Sequence, residues 1–179
     1  LGDPSMGYCW DALFRELLSR QAWLDRLDLS EERREAFARF AAWVDLLDFR
    51  RDVARLEFEL DLWVEREPGS AVQAFTDRMT SATAFRPPPQ SFLEVVGGGL
   101  QVARRLRGRL LADRLGVELT ERFGEDWFRN PSAGPFLAEL LAVGWRESRR
   151  RLRPGEDQED RRDAGEVAAR FRRRLGGSP

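Results

Sequence analysis

The sequence predicts an all-α fold: a single-domain bundle of about six helices with one long central helix. Three observations carry this. Apolar residues recur at three- and four-residue spacings along most of the 179 positions, the period of helices with one buried stripe. No stretch reads as a strand. Proline and glycine clusters at Pro68-Gly69, Pro87 to Pro89, Gly97 to Gly99 and Pro154-Gly155 cut the chain into helix-sized pieces. Apolar residues at 42% and charged residues at 34% describe a globular chain with enough material for one core.

Each element follows in order. Trp10, Leu13, Phe14, Leu17 and Leu18 predict a first helix over about Tyr8 to Leu27. Ser30 is the N-cap of a long second helix, with Glu31 and Glu32 in the first turn where the helix dipole favours anions. That helix runs to about Glu65. Its expected inner stripe is Phe37, Phe40, Ala41, Val44 and Leu47, continued by Val53, Leu56, Leu60 and Trp63.

Ser70 caps a third helix to about Ala84, with Val72, Phe75 and Met79 inward. The prolines after Arg86 hold their predecessors extended. A fourth helix spans Leu100 to Phe123 and stops at Gly124. Pro135 suits the first position of a fifth helix carrying Phe136, Leu137, Leu140, Leu141 and Val143. An acidic loop, Glu156 to Asp160, leads to a short basic helix and tail. The expected division is therefore a helical body over 1–153 and a loop, helix and tail over 154–179. Trp127-Phe128 is expected to plug the end of the bundle.

The composition excludes several chemistries. There is no histidine, and all 30 basic residues are arginines. That removes the commonest general base and zinc ligand, and with no lysine there is no Schiff base. Cys9, the one cysteine, excludes an internal disulfide and fits a reducing, cytoplasmic setting. It has no imidazole to activate it and reads as a buried structural thiol. No apolar run reaches the ~20 residues of a membrane helix, and no signal-peptide pattern opens the chain. A start at Leu1 reads as the interior of a longer product. No cofactor is expected.

Charge is uneven. Residues 1–67 carry 16 acids against 10 arginines, and residues 68–179 carry 15 against 20. Arg104, Arg105, Arg107 and Arg109 with Arg146 to Arg153 would form a basic ridge if their helices lie side by side. Nucleic-acid binders interleave exposed aromatics among such arginines, and these runs have almost none. On the long helix, Asp48, Asp52 and Glu59 alternate with Arg51 and Arg55 at turn spacing, which predicts a salt-bridge ladder over acid–base or cation-binding work. Gly97-Gly98-Gly99 precedes a helix, but no Lys-Ser/Thr pair follows, so it reads as a hinge or tight turn and not a phosphate loop.

Three segments together resemble the C-terminal helical region of gluzincin zinc peptidases of the thimet-oligopeptidase and oligoendopeptidase type. They are FGEDWFRNPSAGPFLAELLAVGW (Phe123 to Trp145), DFRRDVARLEFELDLW (Asp48 to Trp63) and GYCWDALFRELLSRQAWL (Gly7 to Leu24). The resemblance covers about residues 1–150 and implies the fold of that family's C-terminal lobe. It places Asp48 to Trp63 along the substrate channel, so Arg50, Arg51 and Arg55 become candidate groove-facing residues.

The departures from the pattern bear on function. The metal-binding HExxH helix would lie upstream of Leu1. The family's third ligand, a glutamate, falls near Tyr8. Tyrosines that steady the tetrahedral intermediate fall near Gln101 and Arg105. Losing one such donor costs about 10²–10³ in rate. The resemblance therefore implies a non-catalytic remnant that binds a protein or peptide through its former channel, with Tyr8, Arg50, Arg51, Arg55, Gln101 and Arg105 as candidate contacts. Two alternatives stay open: half of a split zinc peptidase completed by a chain with HExxH, and a basic helical nucleic-acid binder.

Overall fold

The computed structural model describes residues 5–64, 71–96, 99–142 and 169. It is all-α. The described residues form seven α-helices: α1 (Ser5–Leu17), α2 (Gln21–Leu24), α3 (Glu31–Val64), α4 (Ala71–Thr83), α5 (Phe92–Val96), α6 (Gln101–Phe123) and α7 (Ala133–Ala142). Tight 3-10 turns occupy Pro89–Ser91 and Trp127–Arg129, and no strand occurs among the described residues. The long helix is α3, whose 34 residues span about 51 Å at 1.5 Å per residue. The helices divide into two compact units, one from Leu1–Trp43 and Arg107–Pro179, the other from Val44–Leu106.

The first unit is built on α1 and α6. Cys9, Leu13 and Leu17 step along α1 at four-residue intervals, and Leu111, Leu115 and Leu119 do the same on α6. All six are buried in one core with Trp127 and Leu140. The helices can close because α6 carries Gly108, Ala112 and Gly116 one turn apart. A Cβ on Gly108 would lie 2.6 Å from the Ser5 carbonyl oxygen and 2.9 Å from the Cys9 nitrogen. Trp127 is buried in this core and Phe128 packs against it, meeting Trp23 edge-to-face at 5.3 Å.

The second unit has its own core. Ala54 and Phe58 of α3 meet Ala71, Phe75 and Met79 of α4 and Val95 of α5, with the Phe58 and Phe75 rings 5.2 Å apart. Phe75 and Met79 are inward as expected, while Val72 is half-buried.

Three expectations need correction. The first helix is not continuous to Leu27. It ends at Leu17, where Leu18, Ser19 and Arg20 turn to i−3 carbonyls and the Ser19 hydroxyl donates to Glu16 O at 3.0 Å. A serine bonded to its own backbone offers the chain an exit from the helix. Phe14 and Leu18 are exposed. Second, the inner stripe of α3 lies elsewhere: Phe37, Phe40, Val44, Leu60 and Trp63 are exposed, Phe40 by 62% and Trp63 by 69%. The buried positions are Ala42, Asp52, Ala54, Phe58 and Glu59. Small and satisfied polar residues let neighbouring helices approach, and they took the place that hydrophobicity alone assigns to aromatics.

Third, α7 begins at Ala133, so Pro135 is its third residue, still in the first turn where a missing N–H costs nothing. The apolar run Phe92–Val96 forms the short helix α5. Gly124 does end α6, at φ +88, its N–H donating to Thr120 O at 2.9 Å. Expectations for Pro68-Gly69, Ser70, Gly97-Gly98, Val143 and everything over 154–179 except residue 169 lie outside the described residues.

Candidate functional site

The second unit concentrates the charged residues picked out from the sequence, but α3 deals them to opposite sides. Each residue turns the helix by about 100°, so Arg50 cannot share a face with both Arg51 and Arg55. Arg50 points toward α4, where its Nη2 donates to Ser81 O at 3.3 Å. Arg51 and Arg55 lie on the side facing α5 and α6.

On that side runs a polar seam. Asp52, 1% exposed, accepts Arg105 Nη1 of α6 at 3.0 Å. Two turns along α3, Glu59 is 2% exposed and accepts the Leu100 backbone N–H at 2.7 Å. Gly99 and Leu100 both adopt left-handed backbone, at φ +53 and +60, and so aim that amide at the carboxylate. A buried carboxylate is tolerable because each has a donor, one a guanidinium and one a backbone amide.

Around these, Arg51 pairs with Asp48 at 2.9 Å, and Arg55 Nη2 lies 3.7 Å from Glu94 Oε2. Burial lowers the Arg55 pKa below its ordinary value, and the charges of Arg51 and Arg105 push the same way, against Asp52 and Glu94. The Nε atoms of Arg51 and Arg55 are buried and have no acceptor. The expected ladder thus survives in the Asp48–Arg51 pair, while Asp52 and Glu59 reach across to α6 instead. Gln101 is exposed at the start of α6, one turn before Arg105. Tyr8 belongs to the first unit, half-buried beside Gly108.

The opposite side of α3 forms a groove with α4 of about 670 Å³. Its floor is Phe49, Val53 and Ala54 of α3 with Ala74 and Ala82 of α4. Its rim carries Arg50 and Glu57 on one helix, Asp77 and Arg78 on the other. Arg78 is held by Asp61 at 2.6 Å. The groove offers apolar surface between charges of both signs, which suits a peptide or helix face. Sequence reasoning found Arg50 here and missed the α4 wall, because residues about 30 apart give no local signal. Glu59 was visible only as a ladder member.

The first unit holds a second concavity, about 570 Å³, bordered by Glu16, Asp113, Glu121 and Glu125. Arg20 also lines it, donating to Thr120 Oγ1 and Glu125 Oε2, both at 3.2 Å, and to Glu16 Oε1 at 3.3 Å. It is a structural clamp between the chain after α1 and the end of α6. Cys9 is fully buried, and burial pushes its thiol up to about 12. Of the basic ridge, Arg104 is exposed and Arg105, Arg107 and Arg109 are half-buried, while Arg146 to Arg153 lie outside the described residues. Among the described residues no three Cys, Asp or Glu are grouped to hold a metal ion, and no helix is long and apolar enough to cross a membrane.

Compared with known families, curated proteins and solved structures, the chain matches none.

Proposed function

We propose that this chain is a non-catalytic helical protein that binds a peptide or protein segment in the groove between α3 and α4. The groove itself carries the reading: an apolar floor of Phe49, Val53 and Ala54 facing Ala74 and Ala82, rimmed by two arginines and two acids. Helix-in-groove recognition uses such a floor for affinity and the rim for register. The missing histidine supports the non-catalytic half, since nothing in the chain can hold zinc through imidazole or act as the usual base. The resemblance of Asp48 to Trp63 to a channel-lining helix of gluzincin peptidases supports the same reading, with a former channel wall turned to binding.

The test selects random displayed peptides on the immobilised full chain and measures their binding by fluorescence anisotropy. Ala74→Trp, on an exposed position of α4, fills the groove and should weaken the selected peptides by about tenfold or more, the loss expected when one good apolar contact is replaced by a clash. Equal binding to that variant, or no selectable peptide, overturns the groove reading. Cleavage of peptides by the purified chain, stopped by a chelator, overturns the non-catalytic reading.

A further inference from the structure

The groove between α3 and α4 has an electrical direction. Arg50 stands near one end, where its Nη2 donates to Ser81 O at 3.3 Å. Glu57 follows it along α3 by seven residues, about 11 Å. The contacts of Arg50 with Ser81 and of Phe58 with Phe75 set α4 antiparallel to α3, so Asp77 falls toward the Glu57 end. Arg78 is already neutralised by Asp61. A cation therefore marks one end of the groove and two carboxylates the other. Between them Ala54, Ala74 and Ala82 are small enough to leave room for a large side chain. Leu60, 49% exposed, follows Val53 and Glu57 on the same side of α3 and extends the apolar floor.

The N-terminal half of α3 carries a surface that matches. At about 100° per residue, Glu32, Ala36, Arg39, Phe40 and Trp43 fall on one face. All five are exposed, Phe40 by 62% and Trp43 by 47%. Seven residues separate this acid from this base, the same step that separates Arg50 from Glu57, with the signs reversed. We infer that the groove's occupant is a second copy of this chain, whose exposed α3 face lies in the groove parallel to α3 of its host. Glu32 then meets Arg50, and Arg39 meets Glu57 and Asp77. Ala36 comes over Val53 and Ala54, Phe40 beside Ala74, and Trp43 beside Leu60. In the opposite direction Glu32 would meet Glu57 and Arg39 would meet Arg50, so the charges fix the orientation. This inference rests on the groove reading and names its ligand. One helix face in one groove is a small contact, below the roughly 1,200–2,000 Å² of stable complexes, so the association is weak and concentration-dependent.

Sedimentation velocity of the full chain at rising concentration tests it, and the expected result is reversible self-association. Phe40→Glu, on the exposed face, and Ala74→Trp, in the groove, should each weaken it about tenfold or more, the first by setting a charge on an apolar floor and the second by a clash. Mixed together, the two variants should form a one-to-one pair, because the first keeps its groove and the second keeps its helix face. Glu32→Arg or Arg50→Glu alone should weaken association about two- to fivefold, the worth of an exposed ion pair, and the double variant should recover it. Circular dichroism checks that each variant keeps its helices, and Trp43→Ser repeats the face test if Phe40→Glu does not. A chain that stays monomeric up to about 1 mM, association untouched by the face or groove variants, or a mixture that stays apart would each overturn the second copy as occupant. Displayed peptides that still bind the groove of a monomeric chain would leave the groove standing, so the two readings fail separately.

Discussion

Gly108 of α6 leaves no room for a side chain beside α1: a Cβ built on it would lie 2.5 Å from Tyr8 Cβ. The same atom would meet backbone of Ser5 and Cys9, which cannot rotate away. This close approach is what brings Cys9, Leu13 and Leu17 into the row of Leu111, Leu115 and Leu119.

Gly108→Ala should therefore lower stability by about 1–3 kcal/mol, the usual cost of overpacking, against the gain a helix normally makes from Gly to Ala. Gly116→Ala, in the interior of the same helix, where a Cβ would meet only side-chain atoms at 3.5 Å or more, supplies the control and should raise stability by about 0.5–1 kcal/mol. Urea denaturation of the two variants reads the contrast. Equal effects would mean the helices part easily at this point.

Arg105→Met should destabilise the chain by about 1–3 kcal/mol, because it removes a cation from the buried Asp52 carboxylate. The figure is set below that of a fully buried pair because the Arg105 side chain is 35% exposed and water partly replaces it. Arg105→Lys should recover part of the loss. A change within about 0.5 kcal/mol in the methionine variant would show that the pair is worth no more than an ordinary surface bridge.

Ala84 follows α4 at φ +62, a left-handed position that an L side chain fills at a cost, and its N–H donates to Thr80 O at 2.8 Å. Ala84→Gly should add about 0.5–1 kcal/mol by relieving it. Gly99→Ala, at φ +53 with open space around its Cβ, should lose about 1 kcal/mol from backbone strain alone. Thermal melts of both variants suffice, and a stabilised Gly99→Ala would contradict the left-handed turn before α6.

Cys9 should resist a thiol reagent at neutral pH until the chain unfolds. Its proton, held to about 12 in the native state, is lost near the ordinary value of 9.0 once unfolded. Between those values the unfolded chain binds fewer protons than the native one, so stability falls as pH rises through that window and owes nothing to this group's titration below it. Cys9→Ala should remove that part of the alkaline slope, measured as urea midpoints at several pH values. An identical slope in the variant would mean that the native thiol ionises normally.

Much of the helical framework was legible in sequence because its signals are local. The long α3 followed from the stretch between Ser30 and Pro68, which holds neither proline nor glycine, and the stop at Gly124 from the one residue that takes φ +88 without strain. The split after Leu17 was not legible, since Ser19 reads as a tolerable helix residue until its hydroxyl is seen on Glu16 O.

The candidate site was legible as a set of residues and not as a place. Arg50, Arg51 and Arg55 stand out in any reading of α3, yet one side of the helix carries the first and another side the other two. Which side meets which neighbour depends on α4, α5 and α6, whose residues arrive from tens of positions away.

The sequence by itself determined the helical class, the long α3 and the exclusion of imidazole chemistry, because period, capping and composition are properties of the chain alone. Only the tertiary structure decided that Phe40 and Trp63 face outward while Asp52 and Glu59 are buried. The physical reason is pairing across space: a carboxylate is admitted to the interior when a distant residue brings it a donor, here Arg105 and the Leu100 amide, and no local pattern records that arrival.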